Sequence, residues 1–333
     1  MPKELTHFTI ADKAYKKLSD NALCRAIIEK NYHAYLTGSV IMDSAFYTFY
    51  GHHKNNVFKS GGALHNTSPD SYDVIRKLFC DDGRKIEDDV IAFAMGIATH
   101  IHADSAFHPM VFYYSGTSLR KSVGEINAPR VRHQIIETYL DLYYRRECPG
   151  EGGKVASHIS KWGIDGNRLS ELMIKLLMHN VPFWNNVSKN EKKKAVTASL
   201  RSHKFIQGLF NVKPIRLMFC YLSAKPGLGL LPFMTMFYPY HQPDPVILFP
   251  RPITYRHPVT GISDKESIPE IENRAVSGVL SFFEDMEKWL EKGASSMPIF
   301  SKRGPGLITG NEIGTIKDLR YFDTENSVFD IIF

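Results

Sequence analysis

Along most of this chain apolar residues recur every three to four positions, the spacing that gathers them on one face of an α-helix. "DSYDVIRKLF" (70–79) has that rhythm, and Ser68-Pro69 ahead of it supplies a cap and a first-turn proline. Asn127 and Pro129 open a second such segment, "RVRHQIIETYLDLYYRR". "SKNE" (188–191) and "SIPE" (267–270) are capping boxes that predict helices reaching to about Phe210 and Leu290, the latter followed by Gly293 as a stop. Between these, a helix is expected from about Lys85 to Tyr113. It is apolar nearly all round through Ala98, the mark of an element buried on every side. Strand-like alternation is scarce. "PVILFPRPITY" (245–255) could pair locally, but its prolines predict an extended loop. The pattern therefore predicts an all-α protein. A single large helical domain spans 1–293 with a loop-rich C-terminal third, and an irregular tail, 294–333, packs on it.

Composition changes this picture little. A chain of 333 residues with 43% apolar residues can bury a large core, and a formal charge of +6 is compatible with phosphate-bearing partners without being a nucleic-acid footprint. The opening "MPKELTHFTI" has no apolar run of signal-peptide length, which predicts a cytoplasmic protein. "GLGLLPFMTMFYPY" (227–240) is broken by Pro232 and too short to span a bilayer, so no transmembrane segment is expected. Cys24, Cys80, Cys148 and Cys220 lie too far apart for a zinc knuckle and read as free thiols.

The polar residues inside the oily central segment are harder to explain. In "HIHADSAFHP" (100–109), His100, Asp104 and His108 are spaced four apart, so they form one stripe that drifts about 40° per step. His102 points elsewhere. The later helix repeats the device with His133, Glu137 and, one turn on, Asp141. Buried carboxylates and imidazoles need compensation. A hydrogen-bonded His–Asp pair would serve for either residue alone, whereas five on two helices favour divalent metal, since both side chains are ligands zinc accepts. His7, Asp43 (after a chain break expected at Gly38-Ser39) and His65 (in the glycine-rich turn "GGALHNTSP") are weak candidates singly; His52 and His53 are rivals to His65.

In order, His7, Asp43, the His65-Asn66 pair, His100 with Asp104 and His108, and His133 with Glu137 resemble the zinc-dependent phospholipase C family. That group includes the catalytic part of the glycosylphosphatidylinositol-specific phospholipase D and is related to the S1/P1 nucleases. The likeness covers roughly 1–145, with a fainter echo at 250–292. It implies the helical fold of that family and a site of two or three Zn²⁺ ions. By that resemblance Asp43, His65, His100 and Asp104 hold one ion. His108, His133 and Glu137 hold a second with room for water, and His7 with bridging Asp104 holds a third. Relatives complete that third site with the terminal nitrogen, a role open here to Pro2 if Met1 is removed.

Clustered zinc lowers the pKa of a bridging water and neutralises phosphate oxygens, which suits attack on phosphorus. The expectation is a phosphodiesterase acting on phospholipid headgroup esters, with Asp43 both a ligand and the group that orients or deprotonates the water. The alternatives are an S1/P1-like nuclease acting on nucleic acid, although the exposed amino-terminal tryptophan of such relatives is absent, and a non-catalytic, metal-stabilised helical protein. A transient contact of 227–240 and the basic "NEKKK" and "RSHK" with a membrane surface is a further candidate; core packing is the plainer role for that segment.

Overall fold

Most of the backbone is helical in the computed structural model, which describes residues 3–66, 70–79, 86–117, 127–147, 154–163, 166–178, 181–223, 231–241, 244, 249, 252–292, 302–310 and 315–323. In chain order the helices are α1 (Glu4–Lys16), α2 (Leu23–Lys30), α3 (Tyr32–Ile41), a 3₁₀ turn (Met42–Tyr47), α4 (Lys54–His65), α5 (Asp73–Phe79), α6 (Asp88–Ser115) and α7 (Asn127–Glu147). Then come α8 (Val155–Trp162), α9 (Gly166–Met178), a second 3₁₀ turn (Pro182–Asn186), α10 (Lys189–Leu209), α11 (Lys213–Ser223), α12 (Leu231–Met234) and α13 (Ile268–Glu291). A hairpin of β1 (Ile253–Arg256) and β2 (Ser263–Glu266) precedes α13, pairing Ile253 with Glu266 and Arg256 with Ser263. The all-α class expected from the apolar rhythm is the one observed.

The axis of the structure is α6. Its 28 residues are apolar on all sides because neighbours surround it: α3 and α13 most extensively, then α7, α1, α2 and α5. By length and composition α6 could cross a bilayer, but 94% of its most apolar window is buried within the protein. Both predicted capping boxes form, Ser188 with Glu191 and Ser267 with Glu270, each satisfying backbone donors at a helix start and adding roughly 1 kcal/mol.

Local expectations fail at several places for identifiable reasons. Gly38 and Ser39 do not break the chain; they lie inside α3. Glycine stands there because α3 crosses α6 so closely that a Cβ at position 38 would lie 2.1 Å from the Phe93 carbonyl oxygen. The glycines before His65 form no turn either. They belong to α4, where a Cβ on Gly61 would lie 2.7 Å from that of Ala45. The central helix begins at Asp88 and ends at Ser115, running through Pro109. Residues 253–255 are strand rather than loop, because the prolines precede the paired segment. The helix predicted at 70–79 is shorter than expected: α5 starts at Asp73, and the Asp70 carboxylate accepts from the Tyr72 N–H at 3.0 Å. Ser68, Pro69, Cys80, Cys148, residues 224–230 and Gly293 lie outside the described residues. Among the described residues, Cys24 and Cys220 form no disulfide. Within 231–240, Met234, Met236 and Phe237 are buried, which fits core packing there.

Candidate metal centre

Four helices and one 3₁₀ turn converge on a single buried cluster. His7 comes from α1, Asp43 from the turn after α3, His65 from the end of α4, His100, Asp104 and His108 from α6, and His133 with Glu137 from α7. His133 is half-buried and the other seven are buried. The His65 Nε2 lies 3.2 Å from an Asp43 oxygen and 3.2 Å from the His100 Nε2. The His100 Nε2 is 3.4 Å from Asp104 and 3.5 Å from Asp43. Asp104 sits centrally, its other oxygen 3.6 Å from the His7 Nε2 and 3.8 Å from the His108 Nε2. The His133 Nε2 and a Glu137 oxygen are 2.8 Å apart.

Three sets of donor atoms each lie within 4.8 Å of one another: His7, Asp43 and His100; His65, His100 and Asp104; His108, His133 and Glu137. Sequence reasoning named all eight and grouped the last three as found. His7 has its expected neighbour, Asp104, at 3.6 Å and also groups with Asp43 and His100, its ring stacked on His100 with centroids 4.1 Å apart. Pro2 is outside the described residues. His102 faces away, sharing a 2.7 Å hydrogen bond with the Tyr72 hydroxyl under α13. His53 precedes α4 and packs on Phe183 and Trp184. His52 packs beside His53, so neither rival joins the cluster.

The backbone fixes which ring nitrogen faces the cluster. The His65 Nδ1 donates to the Gly61 carbonyl at 2.8 Å, the His100 Nδ1 to the Ser39 carbonyl at 2.9 Å, and the His108 Nδ1 to the Leu307 carbonyl. A carbonyl only accepts, so each Nδ1 carries a proton and each ring turns its Nε2 inward. The Nε2 atoms of His65 and His100 lie 3.2 Å apart, so a proton or a metal ion must sit between them. Among the described residues, His7 Nε2, His108 Nε2, Asp43 Oδ1 and both Asp104 oxygens are buried without hydrogen-bond partners. Leaving five polar atoms unsatisfied would cost several kcal/mol. Nitrogen and carboxylate oxygen donors are what zinc takes, so this donor set fits the ion.

The electrostatics agree. Burial opposes charge at Asp104, yet the imidazoles of His108 and His100 hold its carboxyl well below the usual range. Burial and neighbouring His100 push His7 well below its ordinary value; burial brings His108 down to about 4 against the pull of Asp104, and His133 falls well below normal for the same cause. At His100 burial is outweighed by Asp104 and Asp43, which raise it to about 9. The centre demands positive charge, and a proton on His100 is the smallest form of it.

Two supports escaped the sequence reading. Asp141 belongs to no donor set. Its carboxylate accepts from the Leu5 N–H at 3.3 Å, the Thr6 N–H at 2.9 Å and the Thr6 hydroxyl at 2.7 Å, seating the first turn of α1 beside His7. His203 on α10 bridges the Glu4 carboxylate (2.8 Å) and the Ser44 hydroxyl (2.7 Å), tying α1 to the turn that carries Asp43. Its signal was present: Ser199 and His203, four apart, form a polar stripe on the buried face of α10. A cleft of about 340 Å³ opens onto the cluster, lined by Asp43, His65, His108, His133 and Glu137 together with aromatic side chains, Lys3 and Arg130.

A helical scaffold here converges buried histidines and carboxylates beneath an open cleft, an arrangement that fits a metal-binding centre accessible to a substrate. A model of the zinc dependent phospholipase C family matches residues 6–203, more than half of the chain, and the chain belongs to that family. The match runs well past residue 145 and excludes 250–292, where the sequence suggested a fainter continuation. Among curated proteins and solved structures none matches it significantly.

Proposed function

We propose that this protein is a zinc phosphodiesterase that cleaves phospholipids between phosphorus and the glycerol oxygen, releasing the phosphorylated headgroup. The observation that carries the reading is the inward-facing Nε2 set, locked by backbone carbonyls around Asp43 and Asp104 at the floor of an open cleft. The donor sets would hold two or three zinc ions, and His108, His133 and Glu137 form the group most open to the cleft. Zinc there supplies charge that neutralises phosphate oxygens and acidifies water.

The residues do the rest. Asp43 lines the cleft as well as the cluster, so its carboxylate orients the attacking water and accepts its proton. Water oxygen bonds to phosphorus as the bond to the glycerol oxygen breaks, and that oxygen takes a proton from solvent. Asp104, wholly buried, keeps its negative charge and holds His7, His100 and His108 in register. The test is to incubate zinc-reconstituted protein with a mixed phospholipid extract and, separately, with single-stranded DNA. Release of phosphorylated headgroups and diacylglycerol without DNA cleavage is expected. DNA cleavage alone would establish the nuclease alternative, and bound zinc with neither reaction would establish a structural centre.

A further inference from the structure

The cleft is the part of the site that meets the headgroup, and its lining is unusual in charge. Its carboxylates are Asp43 and Glu137, both members of the candidate metal cluster, so neither remains to meet a cationic headgroup. Lys3 also lines the cleft, but its ammonium donates to the Met236 carbonyl at 2.6 Å and lies near Asp141 and Glu4. Arg130 differs. It is exposed, its guanidinium lies over the Phe58 ring at 5.4 Å, and among the described residues it has no anionic partner.

The aromatic rings tell the same story. A quaternary ammonium is held by open ring faces. The Phe58 face already carries Arg130, and Phe46 meets Phe58 at 85°. The Tyr47 ring is stacked flat on His203 with centroids 4.3 Å apart, and Phe112 packs against His108 and His133. No cage for choline is left among these rings, while one guanidinium, without an anionic partner among the described residues, stands in the cleft. Guanidinium donors match phosphate or carboxylate oxygens in pairs.

We propose that this cleft selects phosphodiesters whose headgroup carries a further anionic group, a phosphomonoester or a carboxylate, and that Arg130 is the specificity residue that binds it. This rests on the phosphodiesterase reading and names the substrate class of the same site. A rival role for Arg130, gripping the scissile phosphate itself, would affect all substrates equally.

The test uses monomeric dihexanoyl lipids, which removes attraction of a basic protein to a charged surface. Phosphatidylinositol 4-phosphate, phosphatidylserine and phosphatidylcholine are compared with zinc-loaded wild type, Arg130→Gln and Arg130→Lys. For wild type, kcat/KM is expected to favour at least one anionic headgroup over phosphatidylcholine by about tenfold or more, the scale of one charge-assisted contact. Which lipid is favoured separates phosphomonoester from carboxylate. Arg130→Gln should bring the ratio towards one and Arg130→Lys should restore part of it. Preference for phosphatidylcholine, or a ratio unmoved by Arg130→Gln, overturns the assignment while leaving the phosphodiesterase reading intact. Calorimetric binding of inositol 1,4-bisphosphate, phosphoserine and phosphocholine supplies a readout independent of turnover. If no lipid is cleaved the enzymatic reading falls. Tighter binding of an anionic compound, lost in Arg130→Gln, would still support the charge selection, and equal binding would end it.

Discussion

The crossing of α3 and α6 positions Asp43 and His100 together, and its closeness makes it testable with one methyl group. Gly38→Ala places that methyl 2.1 Å from the Phe93 carbonyl oxygen, where ordinary contact begins at 3.4 Å, so the backbones must part by about 1.3 Å. The obstacle is main chain on a buried helix and cannot swing aside, so the usual overpacking cost of about 1–3 kcal/mol is a lower bound. The hydrogen bond from His100 Nδ1 to the Ser39 carbonyl, 2.9 Å long, spans this same crossing and would stretch beyond bonding reach. Losing a support of that kind typically weakens metal binding by about 10–100-fold. Thermal denaturation of metal-free and zinc-loaded protein, with zinc titrated against a competing chelator, reads both effects. Gly208→Ala on α10 is the control. Its methyl meets nothing within 4 Å, so it should leave stability unchanged or raise it by up to about 1 kcal/mol. If Gly38→Ala melts with wild type and binds zinc equally well, the close crossing does not position the centre.

The remaining predictions concern the cluster and its supports. Asp104→Asn is expected to lower zinc content per chain and hydrolysis together, because one central carboxylate serves His7, His100 and His108; elemental analysis showing unchanged stoichiometry would remove it as the bridge. Asp141→Ala should destabilise the protein by about 1–3 kcal/mol, since it leaves the α1 donors of Leu5 and Thr6 without their acceptor, measurable by urea unfolding. Burial and the nearby Glu4 raise the Asp141 carboxyl from 3.8 to about 7, so between those values the native state holds a proton the unfolded chain has released. The stability it contributes is full below about pH 4 and lost as pH rises through 7, so wild type should lose ground relative to Asp141→Asn between pH 5 and pH 8; a constant difference would contradict the raised pKa. Chelating zinc should lower the melting temperature, because the ion binds the folded chain and satisfies buried donors, and restoring zinc should return it; an unaltered transition would count against a metal-bound native state.

Much of this architecture is written locally. Ser188 with Glu191 and Ser267 with Glu270 set two helix starts, and four-residue spacing put His100, Asp104 and His108 on one stripe. What was misread depends on distant partners. Glycine at 38 or 61 signals a turn or a close packing contact equally well, and the deciding atoms belong to Phe93 and to Ala45. Asp141 looked like the next member of the His133–Glu137 stripe. The stripe drifts about 40° per step, and by its third member it faces the start of α1 instead of the cluster. His203 acts through Glu4 and Ser44, residues about 200 and 160 positions away along the chain, a convergence that periodicity does not encode.

The carbonyl that orients His108 belongs to Leu307, 199 residues downstream and beyond the matched span 6–203. A ribosome-bound chain that has already made every candidate donor side chain still lacks the last brace for one imidazole. Assembly of the full centre therefore waits on synthesis past Leu307, and a chain cut before that residue would keep all eight donors yet lose the hydrogen bond that orients the His108 ring.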